Sequence, residues 1–311
     1  MKTTAVYFSP TGNTKKSVDA MARALDADYQ AVDLTVAQGE DGQEFPVQMR
    51  FSGEDFVIFG MPVYGGRLPA LAAKRLSGLH GEQTPCVLVV TYGNRHYDDA
   101  LVELQDLCEA QGFVVKGAAA LVGRHTYGEI QVGRPDEADL EADAAFVRKA
   151  VLGDGLHATI PGSRPYQKPP MEKGQFAPLT SDACTGCGLC RKRCPAGAIG
   201  PDFQVDADRC ISCFRCIRIC PAGAKNMDTE GYRSFAQMFT QKLAARRENE
   251  YFLLALISIP CSGHRSFISI MHSGYPPDSP VISAPPPSSA FQAGAGGHTA
   301  PSERQERWAS R

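Results

Sequence analysis

Residues 184–195 read CTGCGLCRKRCP, and residues 210–221 read CISCFRCIRICP. Both runs follow the pattern C-x-x-C-x-x-C-x-x-x-C-P, with every cysteine in the same place. An iron–sulfur cube needs four converging thiolates, and two-residue spacings bring successive sulfurs into one small loop. The proline after each fourth cysteine fixes the backbone φ angle and ends the local turn. The double pattern therefore predicts two [4Fe–4S] clusters.

Two other uses of these cysteines fit less well. Zinc would take two C-x-x-C pairs and would leave the third cysteine of each run, as well as the prolines, without a role. A disulfide framework requires an oxidising compartment. The chain opens with the strand-like segment MKTTAVYFS and shows no secretory cleavage signal, which argues against such a compartment.

The double run resembles the bacterial two-[4Fe–4S] ferredoxins, in which the fourth cysteine of each run binds the other cluster. The resemblance implies two sites, which we call cluster 1 and cluster 2. The implied ligands of cluster 1 are Cys184, Cys187, Cys190 and Cys220. The implied ligands of cluster 2 are Cys210, Cys213, Cys216 and Cys194.

Composition sets limits on the rest of the protein. At 311 residues the chain is long enough for two domains, and its net charge of −2, with 21% charged residues, offers no basic field for nucleic acid. Of the 11 cysteines, Cys86, Cys108 and Cys261 lie outside the runs and are expected to be buried or spare thiols. The apolar run at residues 252–260 is too short to span a bilayer. We expect a protein of the reducing cytoplasm without a membrane span.

Strand and helix patterns alternate through the N-terminal half. Apolar, β-branched segments predict strands at residues 3–8, 29–34, 56–60, 86–91 and 113–121. Helical spacing of apolar residues predicts helices at residues 14–25, 69–79, 100–110 and 137–151. Such alternation implies a parallel sheet covered on both faces, with right-handed crossovers. Five strands of this kind predict a flavodoxin-like, doubly wound α/β sheet of order 2-1-3-4-5.

The turn between the first strand and the first helix reads SPTGNT (residues 9–14). A hydroxyl-rich loop at a helix N-terminus offers backbone N–H groups and a favourable dipole to a phosphate. Gly12 lets the backbone approach a ligand, and Asn13 tolerates a left-handed turn. The loop lacks both the G-K-[ST] ending of a Walker A loop and the G-x-G-x-x-G fingerprint. Taken alone, it is either a phosphate site or an ordinary capped helix.

The same hexapeptide resembles the FMN-phosphate loop of flavodoxins, T/S-x-T-G-N-T. That family carries two further loops, after strands three and four, which hold the isoalloxazine ring. The equivalent segments here are MPVYGGRL (residues 61–68) and TYGNRHY (residues 91–97), although a single Tyr-Gly loop is more often a surface turn. The resemblance implies an FMN cofactor. The implied FMN-binding residues are Ser9, Thr11, Gly12, Asn13, Thr14, Pro62, Val63, Tyr64, Gly65, Gly66, Thr91, Tyr92, Gly93, Asn94 and Tyr97.

Changes in composition divide the chain into four parts. Residues 1–152 are the predicted flavodoxin-like domain, and the Pro/Gly-rich residues 153–180 are a linker. Residues 181–255 are a small α+β ferredoxin-like domain that ends with a core-facing helix at residues 231–247. Residues 256–311, rich in Pro, Ser, Gly and Ala, are predicted to be disordered. Up to that tail, the arrangement resembles the family of flavodoxin–ferredoxin fusion proteins.

This resemblance implies electron transfer, because the clusters carry one electron whereas FMN carries one or two. The leading hypothesis is a relay between the clusters and FMN, with redox proteins of unknown identity as partners. The alternative is an FMN-dependent reductase, for which Arg95, His96 and His125 are the candidate donors, although both histidines are expected at the surface. A redox or iron sensor is a third class, but the sequence shows no output motif. Whether the chain is an enzyme stays open at this point.

Overall fold

A six-stranded sheet forms the centre of the computed structural model, which describes residues 1–36, 48–153 and 159–253. Within these residues the strands are β1 (Lys2–Tyr7), β2 (Gln30–Asp33), β3 (Met49–Phe51), β4 (Asp55–Pro62), β5 (Leu79–Gly81), β6 (Thr84–Tyr92), β7 (Phe113–Val122), β8 (Leu179–Thr180), β9 (Lys225–Asn226) and β10 (Glu250–Leu253). The helices are α1 (Asn13–Leu25), α2 (Ala70–Leu76), α3 (Ala100–Ala110), α4 (Glu137–Val151), α5 (Leu189–Lys192), α6 (Arg215–Ile219) and α7 (Glu230–Lys242). Cys261 and the tail predicted at residues 256–311 lie outside the described residues.

The central sheet has the strand order β10-β7-β6-β4-β1-β2. All of its strands except β10 run parallel. The five parallel strands β1, β2, β4, β6 and β7 are, in chain order, strands one to five of the sheet. Side by side they have the order 2-1-3-4-5. This is the flavodoxin-like order, so the predicted fold class is confirmed. We call residues 1–153 together with β10 the sheet domain, and residues 179–226 the cysteine-rich region.

Helices cover both faces of the sheet. On one face Val18 of α1 and Phe146 of α4 pack against buried strand residues such as Ile58. On the other face Leu76 of α2 and Leu101 of α3 complete a second core. Each fully buried side chain of this size stabilises the fold by roughly 1.5–3 kcal/mol. The two cores hold the parallel strands in register, and their carboxyl ends therefore meet at one edge of the sheet.

The sixth strand, β10, is a correction to the predicted five-stranded sheet. It pairs antiparallel with β7, with Glu250 opposite Ala120 and Leu253 opposite Gly117. These residues fall within the predicted ferredoxin-like domain at residues 181–255, because four residues are too few to show a strand periodicity. The chain thus leaves the sheet domain after α4 and returns to its edge after α7.

Residues 160–167 of the linker predicted at residues 153–180 lie against α3. The Asp99 carboxylate accepts hydrogen bonds from the backbone N–H groups of Ser163 (2.9 Å) and Gln167 (2.8 Å). The hydroxyl of Tyr166 donates to Asp106, and Ile160 is buried in the core beside α3. These contacts fix the path of the chain from the sheet domain to the cysteines.

The cysteine-rich region contains little regular structure. Its two-residue strands β8 and β9 pair antiparallel, and each cysteine run carries one short helix, α5 or α6. Helix α7 follows, and its first turn is capped by Thr229, whose hydroxyl accepts a hydrogen bond from the Tyr232 N–H (3.2 Å). Two short helices around two cysteine runs leave the backbone free to curve around bound groups.

Asp143 makes the junction between α4 and β10 sensitive to pH. Its carboxylate is fully buried and accepts a hydrogen bond from the Tyr251 hydroxyl (2.7 Å). Burial raises the pKa of Asp143 to about 6, and the hydrogen bond from Tyr251 opposes this increase. Because its pKa is higher in the folded state, this acid contributes its full stabilisation only below its unfolded pKa. The contribution to the free energy of unfolding is lost as the pH rises through about 6.

We therefore expect Asp143→Asn to stabilise the protein at pH 7.5, on the order of 2–3 kcal/mol relative to wild type, and much less at pH 5.0. The amide keeps the size of the side chain and removes the charge. Thermal unfolding at both pH values measures the effect, and Glu141→Gln on the exposed face of α4 is the control. An equal gain at both pH values would contradict the assignment.

Candidate cofactor sites

The loop at residues 9–14 forms one end of a cleft at the carboxyl edge of the sheet. Thr11, Asn13 and Thr14 line a space of about 420 Å³ together with Thr91 and Arg124. Helix α1 has no side-chain cap, so N–H groups of its first turn are available to an anion. The Nε atom of Arg124 is buried, and no hydrogen-bond partner for it lies among the described residues. Hydroxyl groups, amides and a guanidinium group that converge in this way fit a phosphate.

Two residues of the same loop shape it from behind. Ser9 does not line the cleft: its N–H donates to the hydroxyl of Thr35 (2.8 Å), and its own hydroxyl accepts from the Lys15 N–H (3.0 Å). Gly12 has a φ of 90°, in the left-handed region that favours glycine. Asn13 ties the loop to the far side of the cleft, because its side-chain amide donates to the Arg124 carbonyl (2.8 Å). The hydrogen bonds of Ser9 and Asn13 therefore fix the conformation of the loop.

The cleft continues into a larger space of about 800 Å³ between the loops at residues 61–68 and 91–97. Val63, Tyr64, Tyr92 and Gly93 line both spaces, so the two adjoin. The glycines here are sterically required. A Cβ atom on Gly93 would lie 2.1 Å from the His125 ring, and one on Gly66 would lie 2.1 Å from the Asp98 carboxylate. An anion-binding end joined to an aromatic end is the shape that FMN requires.

Most of the predicted FMN-binding residues line this cleft, but four of the fifteen do not. They are Ser9, Gly12, Asn94 and Tyr97. The Asn94 amide donates to the carbonyl oxygens of Leu243 (2.8 Å) and Ala245 (2.6 Å). The Tyr97 hydroxyl donates to Glu250 (2.9 Å). Both side chains thus anchor the segment that follows α7, and the structure gives them no contact with the cleft.

The structure also brings residues to the cleft that the sequence did not indicate. They come from the loop after β7, the linker, the second cysteine run and α7, and they are Arg124, Thr126, Tyr127, Met171, Gln175, Ser212, Phe235 and Phe239. His125 lines both parts of the cleft, although a surface position was predicted, whereas His96 is exposed as expected. Burial lowers the pKa of His125 to about 4, so its ring is neutral at pH 7.

An aromatic cluster joins the cleft to the cysteine-rich region. The Tyr127 ring packs against Phe176 (5.3 Å between ring centroids), Phe214 (5.2 Å) and Phe235 (5.9 Å). Phe176 belongs to the linker, Phe214 to the second cysteine run and Phe235 to α7. Four segments from distant parts of the sequence therefore meet beside the aromatic end of the cleft.

The eight cysteines of the double run line two separate cavities. One cavity is lined by Cys184, Cys187, Cys190 and Cys220. The other is lined by Cys194, Cys210, Cys213 and Cys216. Nowhere in the described ranges do three His, Cys, Asp or Glu side chains converge closely enough to hold a metal ion. Four cysteines around each cavity match the ligand set of a [4Fe–4S] cluster, in which each thiolate binds its own iron.

The backbone supplies hydrogen bonds to the sulfur atoms. The N–H group of Ala198 donates to the Cys194 sulfur (3.3 Å), and that of Ser212 donates to the Cys210 sulfur (3.4 Å). Burial acts to raise the pKa of Cys220, but the N–H groups of residues 222–225 outweigh it and lower this pKa. Such donors stabilise negative charge on sulfur, and they are one of the means by which a protein sets cluster potentials.

Lys225 places a positive charge between the two cavities. Its side chain is only 3% exposed, lines the cavity of cluster 1, and donates from Nζ to the Thr180 hydroxyl and the Phe203 carbonyl. No carboxylate among the described residues forms an ion pair with it. Burial raises the pKa of Cys216, in the other cavity, to about 12, and the Lys225 ammonium opposes this increase. A buried cation needs a compensating anion, and two anionic clusters supply it.

The sheet domain contacts the cysteine-rich region on the side of cluster 2. Arg75 is buried and donates to the carbonyl oxygens of Leu34 (2.8 Å) in the sheet domain and Pro195 (2.6 Å) in the first cysteine run. Arg215 of α6 donates to the Pro10 carbonyl (3.0 Å) in the loop at residues 9–14. Cys213 is buried in the same hydrophobic core as the sheet, and Tyr64 packs against that core. The cavity of cluster 2 and the aromatic end of the cleft are therefore neighbours.

Comparison with known families identifies the cysteine-rich region. Two models described as 4Fe-4S binding domain match residues 178–200 and 203–224. This region is a pair of 4Fe-4S binding domains. In the structure each cavity takes three cysteines from one 4Fe-4S domain and one from the other, Cys220 and Cys194 being the exchanged residues. The chain as a whole joins a flavodoxin-like fold to these two 4Fe-4S domains.

Solved structures similar to the sheet domain include flavodoxins. A flavodoxin from Streptococcus pneumoniae TIGR4 is 18% identical, with 49% of this chain and 99% of that chain covered and a TM-score of 0.34. Flavodoxin 2 from Bacillus cereus gives the same four values. The rubredoxin oxygen:oxidoreductase of Desulfovibrio gigas is 14% identical, with 47% of this chain and 34% of that chain covered and a TM-score of 0.33.

Two further comparisons give negative results. A search of curated proteins finds no match to this sequence. Among the helices in the described ranges, none has the length and apolar character that crossing a membrane requires.

Proposed function

We propose that this chain is an electron-transfer protein that relays electrons between two [4Fe–4S] clusters and FMN. The observation that carries the proposal is the contact between the two kinds of site. Ser212 lines the aromatic end of the cleft, and its neighbour Cys213 lines the cavity of cluster 2. Burial raises the pKa of Tyr64, and the Cys213 sulfur adds to that increase, as expected of two adjacent groups. No other protein is needed to bridge them.

The residues in the two kinds of site have distinct roles in this proposal. The eight cysteines that line the two cavities hold the clusters in the sets given above. Thr11, Asn13, Thr14 and Arg124 bind the FMN phosphate, while Tyr64 and Tyr92 bind the ring. When bound, the clusters supply one-electron transfer and FMN supplies transfer of one or two electrons.

The protein contributes a fixed separation of the sites. The rings of Tyr127, Phe176, Phe214 and Phe235 pack together between the aromatic end of the cleft and the cysteine-rich region. Arg215 joins the helix beside cluster 2 to the loop that holds the phosphate. Because both sites belong to one chain, their effective concentration for each other is high. At pH 7 the His125 ring is neutral, so it is able to donate a hydrogen bond but does not act as an acid.

A reductase of a small substrate is the second candidate, because Arg95, His96 and His125 all line the aromatic part of the cleft. Two observations weigh against it. Arg95 is paired with Asp98, which fixes its guanidinium group. His125 is not protonated near pH 7, so it is a poor proton donor. The carrier function is therefore the better supported of the two.

The cytoplasm is the proposed compartment. All ten cysteines within the described residues are free thiols, including Cys86 and Cys108, which are buried in the sheet domain. Burial raises the pKa of Cys86 and Cys108, so both are unreactive. A reducing compartment is where free thiols and iron–sulfur clusters persist.

Anaerobic purification followed by photoreduction tests the relay. We expect about eight irons and one FMN per chain. Replacing Cys213 by alanine removes a cluster ligand and, since cluster 2 is the proposed neighbour of FMN, should slow flavin reduction at least about tenfold while FMN stays bound. The control is Cys108→Ala, which lies in neither cysteine cavity.

Absorbance in the flavin band, followed with photoreduced deazariboflavin as a small neutral reductant, measures the rate, and iron analysis reports cluster occupancy. Flavin reduction at an unchanged rate in a Cys213→Ala protein that has lost iron would refute the relay. Turnover of a small substrate at the flavin would favour the reductase.

A further inference from the structure

The two cysteine runs form an internal repeat, which allows equivalent residues to be compared. Aligned on their cysteines, Cys187 of the first run corresponds to Cys213 of the second. Two residues further on, Leu189 at the start of α5 corresponds to Arg215 at the start of α6. The cysteine-rich region therefore has two equivalent faces, one beside cluster 1 and one beside cluster 2.

Beside cluster 2 this face is covered by the sheet domain. Cys213 is only 7% exposed and is part of the core of the sheet domain. Arg215 donates to the Pro10 carbonyl (3.0 Å), and Arg218 donates to the His125 carbonyl (3.5 Å). The basic residues of α6 thus attach the region around cluster 2 to the sheet domain beside the cleft.

Beside cluster 1 the equivalent face is open. Cys187 is exposed, Leu189 is 37% exposed, and Lys192, which corresponds to Arg218, is exposed as well. The hydrogen bonds of residues 181–190 stay within the cysteine-rich region. The face that carries a redox contact in one half of the repeat is therefore without a partner in the other half, as far as the described residues show.

The charge of this open face is positive. Arg191, Lys192 and Arg193 are consecutive and exposed, and no carboxylate in the described part of the chain forms an ion pair with them. The run at residues 184–195 contains no acidic residue, and the exposed Asp182 lies two residues before it. Three cations within six residues of an exposed cluster ligand attract an acidic surface and speed its approach.

We propose that the face formed by Cys187, Leu189 and the three cations at residues 191–193 is the docking surface for a small, acidic, one-electron carrier protein. This inference rests on the proposed function and names its partner. In each encounter one electron leaves the reduced centre of the partner, which is oxidised by one, and passes to the cluster 1 site. No bond forms or breaks. Cluster 2, whose cavity lies beside the cleft, is then the intermediate carrier between cluster 1 and the flavin site.

A second copy of this chain is a poorer occupant of the same face. Face-to-face pairing would set three cations against three cations, and like charges across an interface are costly. A one-electron carrier also matches the chemistry of an iron–sulfur cluster, which accepts electrons singly. Leu189, which is 37% exposed at the start of α5, supplies an apolar contact next to the cations in sequence.

The test uses the full, cofactor-loaded chain and a reduced, acidic two-[4Fe–4S] ferredoxin as the probe. In the test variant, Arg191, Lys192 and Arg193 are all replaced by glutamine. The control variant carries glutamine at Arg23, Arg148 and Lys149, three exposed cations on α1 and α4. Both variants remove the same charge, and the control does so on the opposite face of the sheet.

We expect the second-order rate constant at low salt, measured by stopped flow, to fall about tenfold or more in the test variant. Its dependence on ionic strength should flatten, because fewer charges attract the partner. The control variant should match wild type. Photoreduced deazariboflavin, which is small and neutral, should reduce all three proteins equally.

Equal second-order rate constants for the two variants at low salt would overturn the docking surface. A faster reaction of the test variant, or no reaction of wild type with the ferredoxin, would overturn it as well. These outcomes differ from a failure of the relay itself. In that case flavin reduction by deazariboflavin would not depend on Cys213, whatever the ferredoxin rates. A docking failure leaves that dependence intact.

Discussion

Replacement of Lys225 by methionine is expected to lower the reduction potentials of both clusters. The ammonium group is buried, lacks a carboxylate partner among the described residues, and acts on cysteines of both cavities. Reduction adds negative charge to a cluster, and a nearby cation stabilises that charge. A unit charge acting over roughly 10 Å at an effective dielectric constant of about 20 contributes about 1.7 kcal/mol. This corresponds to a change of about 18-fold in the reduction equilibrium, or about 70 mV for one electron.

Potentiometric titration followed by electron paramagnetic resonance measures both potentials, and iron analysis confirms that the clusters are present. Methionine keeps the length of the side chain without its charge. Lys192→Met is the matched control, since Lys192 is an exposed lysine of the same region and its charge is screened by water. Unchanged potentials in an iron-replete Lys225→Met protein, or an equal shift in the control, would show that Lys225 has no electrostatic role.

Replacement of Glu103 by glutamine should cause the largest loss of stability among the single changes considered. The Glu103 carboxylate accepts hydrogen bonds from Arg67 Nε (2.7 Å) and Nη2 (2.9 Å) and from the Leu68 N–H (2.9 Å). Both side chains of the ion pair are 8% exposed. Arg67 also stacks on Tyr166 (4.1 Å to the ring centroid) and donates to the Lys168 carbonyl, so it joins the loop at residues 61–68 to the linker. Removing one partner of a buried ion pair costs about 3–5 kcal/mol.

Chemical unfolding of Glu103→Gln and wild type under identical cofactor loading measures this cost. FMN affinity should fall as well, because the loop that carries Tyr64 loses its anchor. Asp208→Asn is the control: it breaks the exposed pair with Lys173, in which the carboxylate is 85% exposed, and should have little effect on stability. Similar losses in the two variants would mean that burial of the Arg67–Glu103 pair has no special effect.

The features predicted well from the sequence are those with local signals. The strand order follows from alternating apolar segments, and α3 and α4 begin and end at the predicted residues. Cysteine spacing is equally local, and the structure gathers the cysteines into two groups of four. A small error shows the limit of periodicity: the helix predicted at residues 69–79 ends at Leu76, because Leu79 begins the short strand β5.

The features that the sequence did not reveal depend on contacts between distant segments. Asn94 resembles a flavin-loop residue by position, yet its amide binds carbonyl oxygens about 150 residues further along the chain. Ser212 and Phe235 reach the cleft only because the cysteine-rich region and α7 fold back over it. The role of Lys225 likewise depends on its burial, which no neighbouring residue in the sequence indicates.

The return of the chain to β7 has a consequence for biosynthesis. Synthesis proceeds from the N-terminus, so β7 emerges from the ribosome long before β10, its antiparallel neighbour at Glu250–Leu253. Until then one edge of β7 exposes unpaired N–H and C=O groups, which promote aggregation. All eight cysteines of the double run are made within this interval. The cysteine-rich region is therefore synthesised before the strand that completes the central sheet.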